Sequence, residues 1–518
     1  SSNGKLSFSG NNKITFDVAR AGDKLTGGQF VVNPGGVLEF AANTEIEVTA
    51  NDKDCVRPNG GAEYTYDLIL NKGDDVAANF QLDPNKVKFI KQTTFTKWEA
   101  SLDSKGGLVL TQKDVAAEKI KEILEKRLDT TDKENIDALT QAAHGTDAYN
   151  FVNVLQDIAR NQEGKLSDSD IKEKVDEAYN RLVSNTAATD SIENTMNNAA
   201  NSIGTRLVSV SNQPIGTPVQ SRSVASTKVT GIAAGEDHAR YGAWFSPFFS
   251  KTTQKARKGS SGYRDSTYGG SFGMDTKAND DLIIGGAITF ANSETKYKNL
   301  KSGDRTKVNS LMFSIYALQQ ITDTWFAQGS ATIGSNEVKN LDKRVANASA
   351  YQLASSKYNA MSFVGDVLFG YNYATEGLSL TPMGGVRYTR VNSAGYKETG
   401  TTAQNLDVSQ KASNKLEVVI GARVSGGAFE VNGMSVTPEV RGFINHDIIG
   451  KTPKQDLRIG VVANSLNAKS SKPINTSYNL GVGITANYGM MEYGAGYDVH
   501  LADKRVGHEG SLKVRVNF

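Results

Sequence analysis

The sequence is poor in features that define several common protein classes. Its single cysteine, Cys55, excludes an internal disulfide and any metal site built from several thiolates. No stretch approaches the roughly 18 consecutive apolar residues of a transmembrane helix, which excludes a helical membrane protein but leaves a transmembrane β-barrel open. The 58 basic and 56 acidic side chains give a net charge of +2, which indicates no nucleic-acid partner.

Proline is also scarce, with ten residues against 50 glycines, a balance typical of a β-rich chain. The chain starts at Ser1 without a basic segment, apolar core or cleavage site, so we expect any export signal to lie outside a fragment of a longer precursor. The five histidines lie far apart, without the spacing of metal ligands. We therefore predict neither a metal site nor a cofactor.

Residues 1–112 contain short apolar runs separated by turn residues. Val37–Phe40 and Leu108–Leu110 are two such runs, and Asn33–Gly36 is a typical breaker. Strands this short at irregular spacing suit the rungs of a β-solenoid, in which each rung buries its apolar side against its neighbour. A small β-sandwich is the alternative.

Between residues 113 and 210 the apolar period changes to that of helices. The last segment, 190–208, repeats apolar residues every three or four positions: Ile192, Met196, Ala199, Ile203 and Leu207. A segment rich in Ser, Thr, Pro and Gly follows at 211–239, which predicts a flexible linker.

The region 240–518 divides into about twelve strand-like segments, several of them too long for an ordinary globular strand. The connections alternate between short and long. This pattern predicts a closed antiparallel transmembrane β-barrel with tight turns at one end and long loops at the other, and a soluble β-sandwich is the alternative. The predicted strands are 240–251, 264–277, 281–296, 306–320, 323–338, 358–373, 377–394, 414–430, 432–449, 475–488, 490–500 and 508–518.

Side chains alternate along these segments as a membrane barrel requires. Leu282, Ile284 and Ile288 share one face of the third segment, so that face can contact lipid while the other lines a polar lumen. Pro247 lies within the first segment and argues against a regular strand there, because proline has no N–H to donate to a neighbouring strand.

Six motifs in this region resemble one protein family. The region 240–518 resembles the autotransporter β-domain of rickettsial surface cell antigens, in particular the outer membrane protein A and B group, at Tyr241–Phe249, Thr253–Arg257, Gly262–Gly270, Tyr396–Gly400, Met491–Gly494 and Lys513–Phe518. The resemblance implies a twelve-stranded monomeric barrel in the lipid of the bacterial outer membrane, which exports and anchors its own N-terminal passenger by type V secretion. It also implies a passenger that adheres to and invades host cells, with a host-cell receptor as partner.

On this basis the chain is expected to have four parts. Residues 1–112 are the C-terminal end of the passenger, 113–210 a helical segment, 211–239 a flexible linker and 240–518 the translocator barrel. An even strand number puts the start of the first strand on the periplasmic side, so a surface passenger must be joined to it through the pore.

The last predicted strand carries the clearest functional motif. A terminal aromatic residue with apolar residues at alternate positions before it resembles the signal that the barrel-assembly machinery of the outer membrane binds. The residues are Leu512, Val514, Val516 and Phe518.

The helix predicted at 190–208 is the candidate plug of the barrel. Its polar side chains Asn194, Asn201 and Arg206 are expected to face the lumen. The alternative is a helix that packs only with the helical segment before it.

Within this helix, Asn197 and Asn198 with the later Gly204 resemble the segment at which some autotransporters of another family cleave themselves by asparagine cyclisation. That chemistry needs a carboxylate in the lumen. Gly269–Gly273 has the spacing of a nucleophile elbow but lies within a strand with no helix after it, so we predict no other catalytic residue.

Translocation of a passenger is thus the leading functional hypothesis. One alternative is an adhesin fragment whose loops and residues 1–112 bind a host receptor directly. The other is a porin-like channel, which predicts an open lumen and no helix before the first strand.

Overall fold

The computed structural model describes residues 4–21, 24–41, 43–51, 63–73, 83–90, 96–114, 118, 121–122, 146–161, 168–183, 187–211, 241–257, 260–347, 349–375, 377–450, 455–459, 466–467 and 472–518. Cys55 and residues 212–239 of the predicted linker lie outside them. Contacts along the chain define two units: Ser1–Ala178 with Ala346–Ala350, and Tyr179–Val345 with Tyr351–Phe518.

The first unit contains parallel strand pairs that join distant parts of the sequence. Lys5 pairs with Val37, and Lys13 pairs with Glu45. Stacked parallel strands of this kind are typical of a β-solenoid, although β10 pairs antiparallel with β7 and β9. The strands are β1 Lys5–Phe8, β2 Lys13–Ala21, β3 Lys24–Gly27, β4 Phe30–Val32, β5 Val37–Phe40, β6 Glu45–Asn51, β7 Glu63–Asn71, β8 Lys88–Ile90, β9 Thr96–Leu102 and β10 Leu108–Asp114.

Three helices are described: α1 Asp147–Asn161, α2 Asp168–Val183 and α3 Ala188–Ser211. The apolar repeat of α3, which includes Ile192, Met196 and Ile203, is buried. Among the helices that the structure describes, none is long and apolar enough to cross a membrane.

Twelve long strands of the second unit form one closed antiparallel sheet. Each pairs with the next along the chain, and β28 pairs with β11. The strands of this unit are β11 Tyr241–Gln254, β12 Tyr263–Lys277, β13 Leu282–Tyr297, β14 Arg305–Gln320, β15 Trp325–Val345, β16 Tyr351–Tyr371, β17 Tyr373–Thr375, β18 Leu378–Ser393, β19 Tyr396–Lys397, β20 Leu406–Gln410, β21 Ser413–Gly426, β22 Phe429–Val431, β23 Met434–Asp447, β24 Gln455–Ile459, β25 Leu466–Asn467, β26 Thr476–Tyr488, β27 Met491–Ala502 and β28 Arg505–Asn517.

The predicted fold class is confirmed: a mainly β chain with a twelve-stranded antiparallel barrel and a helix in its lumen. Two features differ from the expectation. Strands β15 and β16 pair along all 21 residues of each, beyond their predicted limits. The short strands β19, β20, β24 and β25 form a separate sheet where long loops were predicted, because Tyr396 stacks on Tyr358 (4.5 Å) and Val408 and Leu457 are buried.

The two ends of the barrel differ in their connections. Tight turns lie at one end, called the turn end, where Asn432 and Gly433 both have positive φ (51° and 77°), as a two-residue hairpin turn requires. The long connections lie at the other end, called the loop end. The β28 strand finishes at the turn end, next to the start of β11.

The outer and inner faces of the barrel follow the alternation of the strands. Large apolar side chains point outward and remain exposed: Phe245, Phe249, Phe272, Ile284, Ile288, Phe290, Phe313, Ile315, Ile333, Phe369, Ile420, Ile444, Leu480, Val482 and Leu512. The inward-facing side chains are mostly small or polar. This arrangement suits a barrel with lipid outside and a polar lumen inside.

Candidate functional site: the barrel lumen and the closing strand

Helix α3 lies within the barrel, with its N-terminal end at the loop end. There the Ala187 N–H donates to Tyr297 Oη (2.7 Å), and Tyr263 Oη donates to Asp190 Oδ2 (2.8 Å). Tyr263 starts β12 and Tyr297 finishes β13, both at the loop end. The helix therefore runs from the loop end toward the turn end, where β11 begins.

One wall of the lumen, called the hydroxyl wall, is formed by short polar side chains of β12 to β16. Ser191 Oγ donates to Asp265 Oδ1 (2.9 Å), and Thr195 Oγ1 lies 3.1 Å from Ser293 Oγ. Short side chains let the helix approach the strands closely. The wall comprises Thr267, Ser271, Thr289, Ser293, Ser310, Ser314, Thr332, Asn336 and Ser362.

Nearer the turn end, α3 enters an apolar cluster. Ile203 and Leu207 pack with Trp244 and Phe326, which are themselves buried. Trp244 lies flat over Gly273 of the neighbouring strand, where any Cβ would overlap the indole ring. The glycine that completes the nucleophile-elbow spacing therefore makes room for a tryptophan.

Arg206, one of the predicted lumen residues, forms a buried ion pair. Its Nε and Nη2 donate to Asp275 Oδ2 and Oδ1, each at 2.8 Å. Arg515 of the last strand donates to the same carboxylate at 3.1 and 3.0 Å, and Tyr316 Oη lies 3.1 Å from it. Sequence reasoning missed Asp275, whose partners come from α3 and from the last strand.

The opposite wall, called the charged wall, carries ion pairs between its own strands. Arg441 donates to Glu439 Oε1 (2.7 Å) and to Asp498 Oδ1 (2.8 Å), and Arg423 Nε lies 3.1 Å from Glu439 Oε2. Polar cavities separate much of this wall from α3. The wall comprises Arg387, Lys415, Glu417, Arg423, Glu439, Arg441, Glu492, Asp498, His500, Arg505, Glu509, Lys513 and Arg515.

The predicted lumen residues Asn194 and Asn201 both border a cavity on the charged side of α3. Asn201 Nδ2 donates to Glu509 Oε2 (3.0 Å), which also lies 3.1 Å from His500 Nε2. Asn194 Nδ2 is buried and has no hydrogen-bond partner among the residues that the structure describes.

Asn197 and Asn198 lie near the middle of α3 and border the same cavity. The Asn198 amide is satisfied when its nitrogen donates to the Asn194 carbonyl (3.1 Å) and to Glu509 Oε2 (3.3 Å) and its oxygen accepts from Ser250 Oγ (2.9 Å). A carboxylate of the barrel wall is thus within hydrogen-bond reach of the Asn198 side chain.

The loop end holds buried ion pairs that sequence reasoning missed. Burial raises the pKa of the Asp304 carboxyl to about 6, although the charges of Lys301 and Arg181 act in the opposite direction. These side chains come from separate loops and strand ends, so no local sequence pattern joins them. The pairs are Arg181–Asp304 (3.2 Å), Lys301–Asp342 (3.0 Å) and Arg344–Glu398 (2.8 Å).

The predicted assembly residues lie on β28 and at the C-terminus. Leu512 and Val514 point outward and are exposed, and Val516 lies on the same face. Phe518 exchanges two backbone hydrogen bonds with Tyr241, each of 2.9 Å, and the two rings stack at 6.2 Å. The last residue thus pairs with the start of the first barrel strand.

Known proteins resemble this chain in sequence. Residues 243–498 match the autotransporter beta-domain family. Outer membrane protein B of Rickettsia japonica is 39% identical over 314 residues, which are 59% of this chain and 19% of the relative. Outer membrane protein A of Rickettsia conorii is 38% identical over 295 residues, or 55% of this chain and 14% of the relative.

Two solved structures are similar at low sequence identity. The translocator domain of the autotransporter NalP from Neisseria meningitidis has a TM-score of 0.46 and 16% identity, covering 63% of this chain and 98% of its own. The transport unit of AIDA-I from Escherichia coli has a TM-score of 0.40 and 12% identity, covering 56% and 94%.

The chain spans about a fifth of the length of the Rickettsia outer membrane protein B relatives that it matches. The family match, residues 243–498, falls wholly within the barrel. Residues 243–498, just under half of the chain, thus resemble the autotransporter beta-domain family.

Proposed function

We propose that the barrel is an outer-membrane translocator that exports its own N-terminal passenger and anchors it at the cell surface. The observation that carries the proposal is the position of α3, whose N-terminal end lies at the loop end while β11 starts at the turn end. A chain with this path crosses the membrane through the lumen. The apolar outer face and the outer-membrane names of the relatives support the location.

An export assay tests this function. Residues 1–112 are replaced by a tagged reporter, and protease added to intact cells measures how much reporter reaches the surface. Surface reporter is expected when residues 113–518 follow it. Reporter that stays in the periplasm while the barrel is inserted would contradict translocation, and receptor binding by residues 1–112 would then be the remaining role.

The four-part division of the chain belongs to the same proposal. Residues 1–112 act as the end of the passenger, 113–210 as the helical segment that reaches the lumen, 211–239 as the linker and 240–518 as the translocator. The parallel strand pairs of the first unit support a solenoid-like passenger. We assign the passenger to adhesion and invasion, with a host-cell receptor as the partner, and binding of the full chain to host cells tests this part.

The assembly signal formed by Leu512, Val514, Val516 and Phe518 is a further part of the proposal, with the barrel-assembly machinery as the partner. Outward apolar side chains on the closing strand, together with the Phe518 pairing, support it. Deleting Phe518 is expected to abolish insertion while leaving the chain in the periplasm. The substitution L480A, on β26, which does not pair with β28, is the matched control. Normal surface levels after the deletion would contradict this role.

A second proposed activity is cleavage of the chain at Asn197 and Asn198. Glu509 lies 3.3 Å from the Asn198 amide nitrogen and supplies the lumenal carboxylate that asparagine cyclisation needs. Such cleavage would release the passenger from the barrel. N198D and E509Q are expected to abolish a cleaved fragment seen by mass spectrometry of the folded chain, with N194D as the control. A fragment that persists in E509Q, or the absence of any fragment in the parent, would contradict it.

A further inference from the structure

The contact between β11 and β28, called the seam, differs from the other strand pairs of the barrel. In every other pair of neighbouring barrel strands, the paired residues follow one another without a gap. In the seam, Phe245 pairs with Val514 and Phe248 with Ser511, and no pair is formed between them. Among the described strand pairs of the barrel, the pairing is therefore interrupted only where the first and last strands meet.

Pro247 accounts for this gap. Tyr241 and Phe518 exchange two backbone hydrogen bonds, and in antiparallel strands such positions recur at every second residue. Position 247, opposite Leu512, is thus a hydrogen-bonded position at which proline has no N–H to donate. The Ser246 hydroxyl donates to the Leu512 carbonyl instead, at 2.9 Å.

On the loop side of the gap, α3 bonds to both strands of the seam. Ser250 of β11 and Glu509 of β28 are paired residues. Asn198 bonds to the Ser250 hydroxyl (2.9 Å), and Asn201 donates to the Glu509 carboxylate (3.0 Å). One turn of the helix therefore joins the two strands.

On the turn side of the gap, α3 contacts a salt bridge that crosses the seam. Arg515 of β28 passes over β11 at Gly242, where any Cβ would overlap its guanidinium, and reaches Asp275 of β12 at 3.0 Å. Arg206 of α3 binds the same carboxylate through two hydrogen bonds, which fixes its orientation toward Arg515.

We propose that α3 is a clamp for the seam: the barrel opens along β11 and β28 when the helix is absent from the lumen, and the seated helix closes it. The proposal rests on the translocator function, in which α3 enters the lumen with the exported chain. Asn198, Asn201 and Arg206 are then positioning residues that link completion of export to closure of the barrel. Because Pro247 removes a backbone hydrogen bond from the seam, closure of the seam depends on α3.

The test uses the purified, folded full chain with Cys55 replaced by serine. The clamp variant N201A/R206Q is expected to lower the temperature at which the folded band is lost in electrophoresis. A disulfide across the seam, from the paired positions Lys251 and His508, should restore that temperature. A disulfide at Leu480 and Val499, across an uninterrupted pair of strands, should not. Equal restoration by both disulfides, or by neither, would overturn the clamp.

Two milder variants keep the proposal testable if N201A/R206Q does not fold. P247V returns the missing N–H and should slow hydrogen exchange of the β11 amides, while S246A should speed it. The β26 amides serve as the internal reference. Unchanged β11 exchange in both variants would refute the clamp. Reporter export is measured separately. If export fails while only the disulfide across the seam restores the unfolding temperature, the result counts against the translocator function and not against the clamp.

Discussion

The two walls of the lumen contact the same helix in different ways. The hydroxyl wall meets α3 directly through short side chains such as Ser293, and each neutral hydrogen bond there contributes about 1 kcal/mol. The charged wall bonds to α3 through the Glu509 carboxylate. It also joins its own strands, with Arg441 held between Glu439 and Asp498. Breaking one buried ion pair costs about 3–5 kcal/mol. The hydroxyl wall thus contacts the helix through neutral hydrogen bonds, whereas the charged wall contacts it through charged groups and also joins its own strands.

Removal of Arg441 tests this difference with the largest expected effect. R441L leaves Asp498 as an unpaired carboxylate in the wall and leaves Glu439 with Arg423 alone, so the free energy of unfolding should fall by about 3–5 kcal/mol. Heat unfolding followed by electrophoresis measures it. S314A, which removes a hydroxyl 2.8 Å from Thr332 on the hydroxyl wall, is the control and should cost about 1 kcal/mol. Equal losses in the two variants would mean that the walls do not differ.

The hydroxyl wall carries buried ion pairs at its loop end, and these should make stability depend on pH. Burial raises the pKa of Asp304 from 3.8 to about 6, so the folded chain binds this proton more tightly than the unfolded chain. The resulting stabilisation is complete below pH about 4 and is lost as the pH rises through about 6. A shift of this size corresponds to at most about 3 kcal/mol.

The variant D304N isolates this effect because its side chain does not titrate. Relative to D304N, the parent should lose unfolding temperature between pH 4 and 7, and the difference should level off above that range. The Ser302 hydroxyl in the same loop does not titrate in this range, so S302A is a control that should follow the parent. A parent and D304N that respond to pH in parallel would contradict the assignment.

Much of the barrel could be predicted from the sequence because its signals are local. The alternation in Leu282–Phe290 and the alternating connection lengths depend only on neighbouring residues, and both match the structure. The helical spacing of Ile192, Met196 and Ile203 is equally local, and α3 covers that segment. These patterns specify which face of an element is apolar.

The partners within the lumen could not be predicted, because they depend on register and closure. Asp275 receives Arg206 and Arg515 only because β28 lies two strands from β12 in the closed sheet. Glu509 was missed for the same reason, since it lies more than 300 residues after Asn201, its partner. Pro247 was noticed as an irregularity, but its role required knowledge of which strand lies opposite.

A larger side chain on the hydroxyl wall should displace α3 from that wall. A Cβ at Gly334 would lie 3.5 Å from Met196 Sδ and closer still to Ser362 Oγ, so G334L forces α3 away from its wall. Overpacking of this kind costs about 1–3 kcal/mol. We expect a higher ion conductance of the reconstituted barrel.

The control for this substitution is G286L, on the outer face, where the nearest heavy atom to an added Cβ is the Ser314 carbonyl at 3.5 Å. It adds the same side chain without contact to the helix, so conductance should stay at the parent level. If G334L and G286L conduct equally, α3 does not rest on the hydroxyl wall.

The smallest effect is expected from a single hydroxyl between α3 and its wall. Thr195 Oγ1 lies 3.1 Å from Ser293 Oγ and also bonds to the Ser191 carbonyl of its own helix (2.9 Å). T195V keeps the shape and removes both bonds, while Ser293 keeps its 2.6 Å contact with Thr267. Because no buried charge loses its partner, the free energy of unfolding should fall by only about 1 kcal/mol. Adding S293A to T195V should then cost less than S293A alone, because the bond between the two residues is already lost and only the contact with Thr267 remains to be removed. A loss in T195V as large as that of R441L would show that the hydroxyl wall holds the barrel together as firmly as the charged wall does.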